Sequence, residues 1–332
     1  MAALKISRAV TVCGVGLHTG EPARVRLLPA RRAGITFVRA DVHPPLGVRA
    51  HVDSVTDTTL STRLGTPGRA DAPIGTVEHL LAALAGMRVR ACRVEVHGPE
   101  LPILDGSALP WVEALREAAA DGVPAYEPSN ARADEDDGAG AALECVAGAE
   151  ADEEWCARPL RLTAPIAVES NGASIVALPA DDLSFSYAID FAHDAPIGQQ
   201  SFAWAPPACA VAAAAEFAAE LAPARTFAPA AHARALQASG RRHGGGVHNA
   251  LVSDGGRWLN AGPLRFANEP VRHKLLDLLG DLALCGRPLG PMRIVAQRAG
   301  HALHVELARA LLRADARADA EGVARAHARA SE

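Results

Sequence analysis

A chain of 332 residues suits one large domain or two of ordinary size, and 49% hydrophobic with 21% charged residues is an ordinary globular balance. Its formal charge of −5 leaves no basic excess for a nucleic-acid surface, so no nucleic-acid partner is expected. The opening MAALKISRAV has no apolar signal core, and the six cysteines (Cys13, Cys92, Cys145, Cys156, Cys209 and Cys285) form no CxxC pair, which points to free thiols, a reducing compartment and a cytoplasmic location.

In chain order, Ala9–Cys13, Ala23–Pro29 and Gly34–Val38 alternate as strands do between Gly and Pro breaks. Gly14-Val15-Gly16-Leu17-His18-Thr19-Gly20 is a glycine-rich turn in which His18 could approach a substrate. Thr76–Met87 (TVEHLLAALAGM) has Thr before a helical pattern and Gly near its end. Arg90–His97 alternates as a strand, and Ala108–Ala120 reads as a second helix. The text from Glu127 to Trp155 is acidic, Gly/Ala-rich and aperiodic, so 127–157 reads as a flexible linker between domains at 1–126 and 158–312.

Beyond it Leu160–Glu169, Ala173–Leu178 and Leu183–Phe191 read as strands. The alanine-rich run from Pro206 to Ala224 is broken by Glu216 and Glu220, so it reads as a water-soluble helix over Val211–Leu221, and no integral membrane segment is expected. A shorter helix follows at Ala230–Ala238, and Val271–Cys285 is the clearest helix of all. Ile294–Gln297 closes as a strand, Ala302–Leu312 as a helix, and 313–332 as a polar tail. Strands followed by helices in each half predict an α+β fold rather than a doubly wound parallel sheet. Gly244-Gly245-Gly246 lacks the lysine of a phosphate-binding loop.

On VRHKLLDLLGDLALC, His273, Asp277 and Asp281 recur every four residues and share one helical stripe, while Leu275, Leu278, Leu279 and Leu282 cover much of the rest. A helix so apolar lies inside the protein, and its polar stripe faces an interior cleft. An i, i+4 His/Asp pair serves as a metal chelate or as an ion pair, and spacing alone does not separate the two. His79 offers a third ligand. A set of two histidines and one carboxylate leaves one coordination position open, as catalytic zinc sites do. Glu78 beside His79 is a candidate general base, although a helix dipole also favours Glu there. His301, in Gly300-His301-Ala302, can be oriented by Asp281. In Arg225-Thr226-Phe227, the Thr226 hydroxyl suits an oxyanion and Phe227 a pocket wall. His232, His243, His304 and His327 read as solvated. Of 33 basic residues only Lys5 and Lys274 are lysine, so Lys274 marks a place where guanidinium does not substitute for ammonium.

Taken together, GVGLHTG (14–20), TTLSTRL (58–64), TVEHLLAALAGM (76–87), LPILDGSALPWV (101–112), ARTF (224–227), LRFANEPVRHKLLDLLGDLAL (264–284) and GHAL (300–303) resemble the UDP-3-O-acyl-N-acetylglucosamine deacetylases, zinc amidases of lipid A synthesis. The resemblance implies two similar domains, each a sheet packed against a pair of helices, with the active site between them. It implies one Zn2+ per chain, or Fe2+, held by His79, His273 and Asp277, with Glu78 as base for the attacking water. Thr226 would stabilise the oxyanion, and His301, oriented by Asp281, would protonate the leaving amine. Lys274, Phe227, His18 and Leu60 would meet the substrate, a UDP-activated acylated amino sugar, and Arg298 and Tyr187 its nucleotide part. A monomer is expected. The segment Gly244–Ala250 carries Gly246 and His248 where the family has Ser and Asp, Pro270 stands where it often has Phe, and 230–243 is poor in large apolar residues. Two other readings therefore stand beside it: a related zinc hydrolase for another acylated amino sugar, and a binding protein on the same fold.

Overall fold

The computed structural model describes residues 4–66, 69–119, 158–231 and 244–330. The expected linker at 127–157 and all but the first two residues of the helix expected at 230–238 lie outside them. The first half runs β1 (Val10–Val15), β2 (Pro22–Leu28), β3 (Gly34–Arg39), β4 (Leu46–Arg49), β5 (Val55–Asp57), β6 (Arg63–Thr66), β7 (Arg69–Ile74), α1 (Glu78–Gly86), β8 (Ala91–His97) and α2 (Leu109–Ala118). The second runs β9 (Ile166–Ser170), β10 (Ala173–Pro179), β11 (Ser184–Phe191), β12 (Gly198–Trp204), α3 (Ala210–Glu220), β13 (Phe227–Pro229), β14 (Leu251–Ser253), α4 (Glu269–Leu282), β15 (Met292–Gln297) and α5 (His301–Ala330).

The two halves repeat one topology. The first has a sheet of order β1-β2-β8-β3-β4 and the second one of order β9-β10-β15-β11-β12. In each the last strand lies in the middle. β8 runs antiparallel to β2 and parallel to β3, and β15 runs antiparallel to β10 and parallel to β11. A parallel neighbour needs a crossover, and the crossovers contain α1 and α4. The central strands alternate strictly: Cys92, Val94 and Val96 of β8, and Met292, Ile294 and Ala296 of β15, are buried while their neighbours are not. One face of each sheet is therefore apolar and packs inward. Two similar α+β units are what the sequence led us to expect, although among the described residues the second half carries three helices rather than a pair.

α1 is buried from Glu78 to Leu84, both polar residues included, so its first two turns are interior. α4 opens with Pro270 in its first turn, where a missing N–H costs nothing, and buries Leu275, Leu276, Leu278 and Leu282. The two helices meet across the halves at Gly280. A Cβ on Gly280 would lie 2.1 Å from the Glu78 carbonyl oxygen.

Two boundaries differ from expectation. β9 begins at Ile166 rather than Leu160, because Pro165 supplies no ladder donor, and Leu160 makes only an isolated bridge to Leu289. The polar tail expected from 313 is instead a continuation of α5 to Ala330. Its buried Asp315 is paired with Arg287 at 2.6 Å and Arg158 at 3.0 Å, which ties this helix to the second half. Among the described residues Cys13, Cys92, Cys209 and Cys285 are free thiols, and no helix is long and apolar enough to cross a membrane.

The Gly280 crossing has no room for a methyl group. Gly280→Ala is expected to force α1 and α4 apart at a cost of about 1–3 kcal/mol. Urea unfolding read beside metal content checks this; an unchanged midpoint would show that the crossing relaxes freely.

Candidate active site

The crossing brings the start of α1 against the polar stripe of α4. The ligand atoms of His79, His273 and Asp277 all lie within 4.8 Å of one another, and all three residues are buried. Asp277 Oδ1 stands 3.6 Å from His79 Nε2 and 3.4 Å from His273 Nε2, and the two imidazole rings meet edge to face with centroids 4.9 Å apart. His273 Nδ1 lies 3.0 Å from the Ala224 carbonyl oxygen. A carbonyl only accepts, so Nδ1 carries the proton and Nε2 presents its lone pair.

Charge states follow from the surroundings. Burial, reinforced by His273, drives His79 down to about 3, and burial likewise holds His273 below its ordinary value. Burial works to raise Asp277, but Lys274 and the three histidines outweigh it and keep the carboxyl well below the usual range. Two neutral imidazoles and one carboxylate are the forms that ligate a metal. Asp277 Oδ2 accepts from Lys274 Nζ at 2.7 Å, whereas Oδ1 is buried without a hydrogen-bond donor. An unmet carboxylate oxygen facing two imidazole lone pairs costs stability unless a cation joins them. The donor set fits a divalent metal ion.

A second cluster, Asp281, His301 and His304, is equally tight. Hydrogen-bond bookkeeping separates it from the first. Asp281 Oδ2 lies 2.8 Å from Nδ1 of both His301 and His304, and Thr62 Oγ1 donates to Asp281 Oδ1 at 2.5 Å. Every oxygen is met by a donor, so this is an acid–base network rather than an open ligand set. Burial opposes a charge on His301, yet Asp281 outweighs it and raises the imidazole to about 9. Glu78 is raised as well, for a different reason: burial lifts its carboxyl to about 8, against the pull of His301. Thr62 joins the two, because its N–H donates to Glu78 Oε2 at 3.0 Å. His301 Nε2 lies 3.9 Å from Asp277 Oδ2, on the side of the metal-ligand group.

The remaining candidates fall around this centre. Phe227 stacks edge-on to His273, 6.5 Å between centroids, and Thr226 sits between it and Arg225. The segment is fixed by Glu269, a fully buried carboxylate that accepts from Arg225 N and Nε and from Arg265 N. Thr226 N donates to Gly106 O, and a Cβ on Gly106 would strike Asn249 O at 2.1 Å. His18 lies on the glycine-rich turn, which buried Glu100 gathers through the N–H groups of His18 and Thr19 and the Thr19 and Thr76 hydroxyls. Leu60, two residues before Thr62, is exposed with φ 68°, and Arg298 is exposed with φ 55°. Such backbone positions are strained for non-glycine residues.

Two expectations are corrected. Tyr187 is not a surface for a nucleotide: it is 1% exposed, and its hydroxyl lies 2.7 Å from Ala299 O and 2.9 Å from His304 Nε2. His304 is not solvated but fully buried, because it lies one turn after His301 on α5 and shares its inward face. Thr62 was singled out by no sequence signal. A cavity of about 230 Å³ between the halves, walled by Leu81, Leu84, Leu279 and Leu282 toward the far ends of α1 and α4, contains none of these groups.

The family model for UDP-3-O-acyl N-acetylglycosamine deacetylase matches residues 4–130 and 137–313. The chain belongs to this family. Among relatives, the UDP-3-O-acyl-N-acetylglucosamine deacetylase of Nostoc sp. is 40% identical over 309 residues, covering 92% of this chain and 97% of its own. Those of Synechocystis sp. (38% identical, 91% and 96% covered) and Anaeromyxobacter dehalogenans (39% identical, 92% and 86% covered) are similar along nearly the same length. The family is one of metal-dependent amidohydrolases of lipid A biosynthesis.

Lys274 is 15% exposed and spends its ammonium on the second carboxylate oxygen of Asp277. A guanidinium is longer and planar, and must push Asp277 or swing away. Lys274→Arg is expected to lower kcat about tenfold or more. Steady-state acetate release with metal analysis checks this; wild-type kinetics would reduce the survival of this lysine to chance.

Proposed function

We propose that the chain hydrolyses the N-acetyl group of UDP-3-O-acyl-N-acetylglucosamine, giving acetate and the free amine, with one zinc ion held by His79, His273 and Asp277. The observation that carries the reading is a buried carboxyl and a buried imidazole, Glu78 and His301, both with raised proton affinity, beside one three-residue ligand set. A metal ion held there supplies Lewis-acid charge to the substrate carbonyl and makes a neighbouring water more acidic. Histidine and carboxylate donors suit zinc and iron(II) alike, so zinc rests on the family resemblance.

The chain's own groups divide the proton work. Glu78 is anchored through Oε2 by the Thr62 N–H, which leaves Oε1 for the attacking water. Its raised carboxyl is basic enough to take that proton and acidic enough to release it near neutrality. As water adds to the acetyl carbon, the carbonyl oxygen becomes an oxyanion, and the Thr226 hydroxyl donates to it. His301, held as imidazolium through Nδ1 by Asp281, gives its Nε2 proton to the amide nitrogen as the C–N bond breaks. A free amine therefore leaves instead of an amide anion. Lys274 orients Asp277 and adds positive charge beside the substrate; Phe227, Leu60 and His18 line the sugar and acyl portion, and the exposed Arg298 offers a cation to the diphosphate.

Glu78→Ala is expected to keep the metal and lose turnover by about 10²–10⁴-fold. Acetate release from the UDP-sugar with acyl chains of different length, measured beside zinc and iron content, tests the whole reading. Retained turnover would overturn the assigned base, release from none of the chains would favour another acylated amino sugar, and absence of bound metal would remove the hydrolase reading.

A further inference from the structure

Asp281 is bonded by two imidazoles, but the acid step described above uses only His301. The other, His304, is fully buried, and both of its ring nitrogens are engaged. A carboxylate cannot donate, so the His304 proton facing Asp281 resides on Nδ1. Its Nε2 meets the Tyr187 hydroxyl at 2.9 Å, and that hydroxyl is in turn held by Ala299 O at 2.7 Å. Ala299 belongs to the turn between β15 and α5, two residues before His301. A single phenolic proton lies between Ala299 O and His304 Nε2, so Tyr187 sits against both the His304 ring and the backbone that carries His301, while His304 and His301 share Asp281 Oδ2.

This geometry bears on the orientation of the acid. A carboxylate with one imidazole on Oδ2 and one threonine on Oδ1 can rotate about its Cβ–Cγ bond and present either oxygen to either partner. A second N–H on Oδ2, from a ring that is itself clamped, makes the two oxygens unequal and sets the plane of the carboxylate. His301 Nδ1 then has one acceptor direction, and its Nε2 has one place to point. We propose that His304, braced by Tyr187, is a positioning residue that holds Asp281 so that His301 presents Nε2 to the leaving nitrogen. This rests on the reading of His301 as the acid.

The test is a double-mutant cycle on the metal-loaded full chain, followed by acetate release from the UDP-sugar. His301→Gln reports on the acid itself. His304→Leu removes both ring nitrogens, and His304→Asn keeps a donor where Nδ1 stood while giving up the contact to Tyr187. In the parent background His304→Leu is expected to lower kcat about tenfold to a hundredfold with KM and metal content unchanged. His304→Asn should restore most of that loss. In the His301→Gln background His304→Leu should cost less than about twofold, because a residue that acts through another adds nothing once the other is gone. Proton NMR supplies a readout that packing alone does not move: two downfield imidazole N–H resonances from His301 and His304, with only the His304 one missing in His304→Asn. Equal losses in the two backgrounds, or an Asn variant as impaired as a folded Leu variant, would overturn the proposal. A His301→Gln variant of undiminished kcat would remove the acid assignment itself, and His304 with it, whereas a crippled His301→Gln beside an unaffected His304→Leu would remove His304 alone. Should the Leu variant fail to fold, His304→Asn and Tyr187→Phe decide: both are expected to give a kcat below the parent and well above that of His301→Gln, and a loss in His304→Asn as deep as that of His301→Gln, or a parent-like kcat in Tyr187→Phe, would sink the idea.

Discussion

The site depends on one contact, the crossing of α1 and α4 at Gly280. Neither helix carries a complete set of reactive groups. α1 contributes a base and one imidazole; α4 contributes an imidazole and two carboxylates. They become one site only because the backbone of Glu78 lies where a side chain on Gly280 would be. A Cβ at position 280 would push the Glu78 backbone, and His79 with it, away from Asp277. The glycine avoids that displacement and the leucines around it supply the apolar burial. The same burial raises the Glu78 carboxyl and lowers the His79 and His273 imidazoles.

Two aspartates one helical turn apart show how burial is turned to different ends. Asp277 has one oxygen tied by Lys274 and the other unmet; Asp281 has both oxygens satisfied. An unmet buried oxygen is a demand for positive charge, and a satisfied carboxylate is a fixed source of negative charge. The first suits a metal ligand and the second raises the proton affinity of His301. Identical side chains on one helix stripe thus acquire opposite tasks from their neighbours alone.

The stripe itself was legible in the sequence, because a period of four within a leucine-rich segment places His273, Asp277 and Asp281 on one face whatever the fold. The sheet strands with strict alternation, Ala91–His97 and Ser184–Phe191, were legible for the same reason. The short strands Leu46–Arg49, Val55–Asp57 and Phe227–Pro229 were not, since three or four residues hold no measurable period. His304 was misread as solvated although it follows His301 by three residues; once α5 is known to begin at His301, that spacing gives its direction. Tyr187 alternates correctly within its strand, and only the packing of α5 over that strand shows that it points inward. Thr62 lies within the TTLSTRL motif, but nothing distinguished it from its neighbours there, because the two bonds it donates reach residues 16 and 219 positions away.

The central strand of each sheet is also the last of that sheet to be synthesised. β8 leaves the ribosome after α1, and β15 after α4, yet each must insert between hairpins already made. A sheet therefore closes only behind the helix that carries its share of the ligands. Once closed, that helix is spliced between two adjacent ladders and cannot be released without withdrawing a strand flanked on both sides. Opening begins instead at the edges, β1 and β4 in one sheet and β9 and β12 in the other. The reactive helices thus sit behind the innermost strand of each sheet, away from the edge strands where local opening begins.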